Sequence, residues 1–217
     1  MKKVWVVLAV LCFVGAAQAD LVVSGVNPAA TWYGYMNVFE TPANGGGYLW
    51  GSSWGTADLR AGFGSGDVLT LAPNTNCYNA ADAYWVNPDG SGNKDMEANF
   101  YQEWFGTLGG QTVTFNYSVL ANTLPAGYTA QAFIKVLDPD SGWATVQSAY
   151  LDLTAGAGSV SLAVNAIATP VTQVGFMVRG LVVDPAGPAA LTGVTIIPEP
   201  ATMVLLGLGG LLLKRRK

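Results

Sequence analysis

Along the second half of the chain, apolar and polar residues alternate one by one. From Thr112 to Val119 every odd position is apolar and every even one polar, which places Val113, Phe115, Tyr117 and Val119 on one face of an extended strand. The same period recurs in Ser159–Val164 and in Gln173–Arg179, where Val174, Phe176 and Val178 share a face. Ala130–Leu137 and Leu191–Ile197 are further strands by this reading, and Asp67–Leu71 and Asn99–Phe105 fit it less regularly. Between them lie turn clusters at Pro88–Asn93, Pro125–Gly127, Asp138–Gly142 and Asp184–Pro188. No long stretch carries a helical period, and no repeat of 20–50 residues recurs. Short strands broken by Gly/Pro turns predict an all-β fold, an antiparallel two-sheet β-sandwich of the jelly-roll kind. The stretch Trp32–Trp104 is more aromatic and less regular, as decorated early loops of the same sandwich would be.

The two ends break the pattern. Lys2 and Lys3, an apolar run from Val4 to Val14, and small residues at Ala17 and Ala19 predict a secretory signal peptide over residues 1–19, cut by signal peptidase ahead of Asp20. At the other end Pro198, Glu199 and Pro200 precede an apolar, Gly-bearing stretch from Ala201 to Leu213 and the cluster Lys214, Arg215, Arg216 and Lys217. That stretch would be roughly 20 Å long as a helix, short of the ~30 Å bilayer core. A short hydrophobic transmembrane helix is expected there, its basic end held in the cytoplasm. The order of these three parts resembles the PEP-CTERM sorting signal. The resemblance implies an exosortase-type membrane protease as partner, in a Gram-negative, exopolysaccharide-producing bacterium. It also implies an inner-membrane-tethered intermediate that goes on to the cell surface or beyond. Three segments follow: a signal peptide at 1–19, a β-sandwich domain at 20–196 and a sorting signal at 197–217.

Composition narrows the chemistry of the middle segment. The chain has no histidine, which removes imidazole acid/base chemistry and His-ligated metal sites. Six of the ten basic residues sit at the ends, leaving Arg60, Lys94, Lys135 and Arg179 against thirteen of the fourteen acids, a formal charge of −9. Such a body repels phosphate backbones, so nucleic acid is excluded as a partner. Once the signal peptide is removed, Cys77 is the single cysteine and no intramolecular disulfide can form. With no base beside it in sequence, Cys77 is read as a small buried residue, with an exposed thiol or intermolecular bridge as the alternative.

Aromatic residues supply the candidate binding chemistry. Sugar rings stack on flat aromatic faces while neighbouring Asp and Asn side chains take the hydroxyls. Trp54, Trp85 and Trp143, each beside Gly or polar turn residues, are the candidate glycan-contacting positions, with extracellular polysaccharide as the partner. The body is broadly similar to jelly-roll carbohydrate-binding sandwiches. Asp89, Ser91, Asn93 and Asp95 place oxygen side chains on alternate residues, a spacing that suits a structural calcium ion. The match to a helix–loop–helix calcium motif fails at Lys94 and Phe100, and a plain hairpin turn competes with it. No enzyme is expected. The alternative is a secreted polysaccharide-degrading enzyme built on paired carboxylates, drawn from Asp82, Glu97 and Glu103.

Overall fold

A computed structural model describes residues 20–198. Residues 1–19 and 199–217, which carry the expected signal peptide and hydrophobic helix, lie outside them. The described chain is all-β. Its strands are β1 (Leu21–Ser24), β2 (Tyr33–Glu40), β3 (Tyr48–Ser53), β4 (Ala61–Phe63), β5 (Leu69–Leu71) and β6 (Lys94–Phe105). They continue as β7 (Thr112–Asn122), β8 (Thr129–Asp138), β9 (Ala144–Asp152), β10 (Gly156–Ala163), β11 (Val171–Leu181) and β12 (Val194–Ile197).

Two six-stranded sheets result. In the β6 sheet the order is β3-β2-β6-β11-β8-β9. In the β7 sheet, β10 flanks one edge of β7. The other edge is shared end to end by β1, which pairs in parallel with Val113–Asn116, and by β12, which pairs antiparallel with Ser118–Asn122. The sheet then continues through β5 to β4. From β5 onward the chain crosses between the sheets at every connection but one, the β8–β9 hairpin.

The core fills the space between the sheets. Alternation in β7 buries Val113, Phe115, Tyr117 and Val119, as the sequence pattern predicts. Phe176 from β11 meets Phe115 and Tyr117 there, with ring centroids 5.0 and 5.7 Å apart. Trp32, in the loop before β2, stacks on Phe100 at 4.4 Å. The central strands of the β6 sheet are buried on both faces, so β6, β8 and β11 lack clean alternation. Their outward face holds a second small cluster, Tyr101, Phe133 and Met177, with Tyr35 packed against it.

Strand ends differ from the sequence reading in instructive places. Asp67–Leu71 contributes only β5, because Gly66 and Asp67 take left-handed backbone angles in a preceding 3-10 turn. Leu191–Ile197 begins with the end of a 3-10 turn over Pro188–Leu191, and its strand starts at Val194. Asp138–Gly142 is a tight turn capped by the Asp138 side chain, which accepts from the Asp140 amide.

Candidate functional site: a polar and aromatic cleft on the outer face of the β6 sheet

Alternation along β6 sends Met96, Phe100 and their even-numbered neighbours toward the core and leaves Asp95, Glu97, Asn99, Tyr101 and Glu103 on the opposite face. Register sets their neighbours. Tyr33, Tyr35, Asn37 and Phe39 of β2 stand opposite Tyr101, Asn99, Glu97 and Asp95. On the other side, Gln173, Gly175, Met177 and Arg179 of β11 oppose Glu103, Tyr101, Asn99 and Glu97. Lys135 of β8 faces Gln173 in turn.

Hydrogen bonds tie this face into a network with Glu97 at its centre. Asn37 Nδ2 and Asn99 Nδ2 each donate to Glu97 Oε1 at 3.0 Å. Lys135 Nζ donates to Asn99 Oδ1 at 2.7 Å and lies 3.9 Å from Glu97 Oε1. On the far side Arg179 Nη1 is 3.9 Å from Glu97 Oε2, while Arg179 Nε donates to Asp95 Oδ2 at 2.7 Å. The Arg179 guanidinium also lies over the Phe39 ring, 3.9 Å from its centroid, and the Lys135 ammonium lies 4.3 Å from that of Phe133. Glu103 Oε2 accepts from Gln173 Nε2 at 2.8 Å. Burial lowers the Lys135 pKa, with the Glu97 charge acting in opposition.

Above this network lies a cleft of about 690 Å³, the size of a small-ligand site. It reaches from Tyr48 and Ser53 of β3 to Trp143 and Thr145 at the start of β9. Tyr35, Tyr101, Asn99 and Lys135 line it between those ends. Its two terminal aromatics are exposed, Tyr48 by 58% and Trp143 by 52%. Trp143 has φ 64°, a left-handed conformation that a bulky residue rarely adopts, and its amide donates to the Asp138 carbonyl at 2.9 Å. Backbone strain of this kind concentrates where a side chain is being presented.

Of the three tryptophans singled out from sequence, only Trp143 lines this cleft. Trp54 packs partly buried on the core and donates through Nε1 to Ser52 Oγ. Trp85 belongs to a separate cluster with Trp50 and Tyr84, edge-on to both. Lys135 and Gln173 of the cleft escaped the sequence reading, and Glu103 entered it only as a candidate catalytic carboxylate. The available signal was the run of polar residues on odd positions of β6, set against the apolar even ones.

Each of the four oxygen-bearing residues of the 89–95 segment already has a partner within the protein. Asp89 Oδ1 accepts from the Ser91 amide and hydroxyl, which holds its carboxyl below the usual range. Asn93 donates to the carbonyls of Ala83 and Tyr84, and Asp95 is engaged by Arg179. Among the described residues no group of three or more Cys, Asp or Glu side chains is placed to hold a metal ion. The three carboxylates considered as a catalytic pair are dispersed as well. Glu97 and Glu103 lie six residues apart on one strand, roughly 20 Å between Cα atoms. Asp82 caps its own loop by accepting from the Tyr84 amide. Cys77 is half-buried against the core, and burial pushes its thiol up to about 11.

Buried phenols give the domain a predicted alkaline limit. Burial pushes Tyr101 and Tyr128 up to about 12 and raises Tyr35, Tyr117 and Tyr150 as well. In the unfolded chain these phenols ionise near 10. Between pH 10 and 12 the unfolded state therefore loses protons that the folded state keeps. The stability they contribute is complete below pH 10 and is lost as the pH climbs to 12. Lys135, with its lowered pKa, works in the other direction but is one group against five. Chemical denaturation at a series of pH values is expected to show stability falling between pH 10 and 12. Stability that stays level over that range would contradict this.

The chain leaves the fold at a marked point. Ile197 is the last residue of β12, paired with Ser118, and Pro198 has no N–H with which to extend the ladder. Residues 197–217 match the PEP-CTERM protein-sorting motif. The motif implies an exported protein, carried through a membrane-anchored intermediate and processed by an exosortase-type protease. No curated protein and no solved structure matches the chain. Among the described residues no helix is long and apolar enough to cross a membrane, and the expected transmembrane helix lies outside them.

Proposed function

We propose that the body of this exosortase-sorted protein is a non-catalytic glycan-binding sandwich, and that its site is the cleft on the outer face of the β6 sheet. The observation that carries the reading is the pairing of exposed aromatics at both ends of the cleft, Tyr48 and Trp143, with fixed polar groups between them. Apolar sugar faces stack on such rings, and hydroxyls exchange hydrogen bonds with Asn, Glu and Tyr groups already held in place. Strand order supports the jelly-roll reading of β5 to β12. These eight strands form the halves β5-β12-β7-β10 and β6-β11-β8-β9, each drawing strands from both ends of the sequence. Delivery to the outside of the cell brings such a domain to polysaccharide. The final destination proposed is the cell surface or the extracellular layer.

The test is a binding screen of the purified full-length protein against polysaccharides, repeated with Trp143→Gly. Glycine accepts the left-handed backbone angle, so this variant is expected to melt no lower than the parent. Loss of the indole is expected to weaken glycan binding by about tenfold or more. Equal binding by both proteins would remove the cleft from the reading. Turnover of a bound polysaccharide would favour a carboxylate-based hydrolase instead.

A further inference from the structure

The charges around the cleft also bear on which glycans it takes. We propose that it selects neutral, hydroxyl-bearing polysaccharide chains over carboxylated or sulfated ones. The inference rests on the glycan-binding reading above and adds the ligand class. An acidic sugar needs a cation free to meet it, and the described residues hold four. Each already has an internal partner. Arg60 donates to the Pro73 carbonyl at 3.4 Å, and Lys94 pairs with Glu40 at 3.2 Å. Arg179 is held by Asp95 and lies on Phe39. Lys135 is the one of the four that lines the cleft, and its ammonium is buried between Asn99, Glu97 and the Phe133 ring.

What the cleft offers instead is an acceptor. Glu103 lines it, with one carboxylate oxygen taken by Gln173 Nε2 and lone pairs left for hydroxyl donors. Phenols of Tyr35 and Tyr101 stay protonated across the physiological range, since burial raises both pKa values. A ligand hydroxyl finds donors and acceptors here, whereas a ligand carboxylate meets Glu103 and the field of a body carrying −9. Length matters too. The cleft runs across the sheet from β3 to the start of β9, and five strand spacings amount to roughly 24 Å. That span suits the interior of an extended chain better than a single sugar.

The experiment is isothermal titration of the full-length protein with neutral hexasaccharides of glucose, mannose, galactose and xylose, and with uronate hexasaccharides of equal length. Each is measured at low salt and near 0.15 M. The expected result is binding to at least one neutral chain, tighter than to any uronate chain by about tenfold or more and insensitive to salt. Glu103→Gln should narrow the gap by improving uronate binding, with its fold checked by melting. Tighter binding of a uronate chain, weakened by salt, would overturn the selectivity and leave the cleft as a glycan site. Binding to neither class would overturn the glycan reading itself.

Discussion

Replacing Gly175 with alanine is expected to destabilise the domain by about 3 kcal/mol or more, or to prevent its folding. Gly175 lies on β11 at the middle of the β6 sheet, opposite Tyr101 on one side and Phe133 on the other. A methyl group there would overlap the Phe100 carbonyl oxygen and come within 2.6 Å of Tyr101 Cα. Those atoms are backbone, paired in the ladder, so neither can move aside as a flexible side chain would. Relief requires the β6–β11 pair to separate where β11 is also bonded to β8. Gly62 is the control. It lies on β4, with open space around the position a Cβ would take, and Gly62→Ala is expected to leave stability within about 0.5 kcal/mol. Chemical denaturation of the two variants measures the difference. Equal stability would contradict a close approach of β6 and β11 at Gly175.

The same crowding shows why part of this molecule was legible in its sequence and part was not. In β7 one face is buried and the other is not, so a period of two appears in the letters. β10 and β12 follow the same logic. The edge strand β9 is exposed along most of its length, so no apolar face marks it and the reading passed over it. β2 fails for the opposite reason. Met36 and Val38 point to the core, but Tyr33, Tyr35 and Phe39 on the other face are also large and apolar, and the alternation cancels. The cleft was hidden more deeply. Tyr35, Tyr101, Lys135 and Gln173 come together only through the register of β2, β6, β11 and β8, which no local pattern encodes. Trp143 was marked by its place beside Gly and polar turn residues, a cue that Trp54 and Trp85 shared without lining the cleft. Lys135, in the middle of an apolar strand, carried a signal that could have been read as a buried, partnered cation.

That partnership sets the second large effect. Glu97→Gln removes the charge that faces Lys135 on one side and Arg179 on the other, while keeping an oxygen for Asn37 or Asn99. Arg179 retains Asp95, but Lys135 is left buried with only the neutral Asn99 amide oxygen and the Phe133 ring. Breaking a buried pair from one side is expected to cost about 3 kcal/mol, because the remaining charge stays desolvated without compensation. Two observations separate this cause from simple loss of a hydrogen bond. First, Lys135→Met added to Glu97→Gln should recover much of the loss, giving a double-mutant coupling of about 1–3 kcal/mol. Second, the cost should shrink as the pH rises from 7 toward 10. Burial already lowers the Lys135 pKa and the Glu97 charge opposes that, so the variant lowers it further. Above the folded-state value the unfolded chain binds the proton that the folded chain has released, and stability climbs with pH until the unfolded lysine titrates near 10.4. The phenols do not offset this below pH 10, where they are protonated in both states. A pH-independent cost with no recovery in the double variant would show that Glu97 acts only as a hydrogen-bond acceptor. If the cost behaves as expected, the ion pair under the cleft holds Asn99 and Lys135 in position, and glycan binding should weaken in step with the stability of this network.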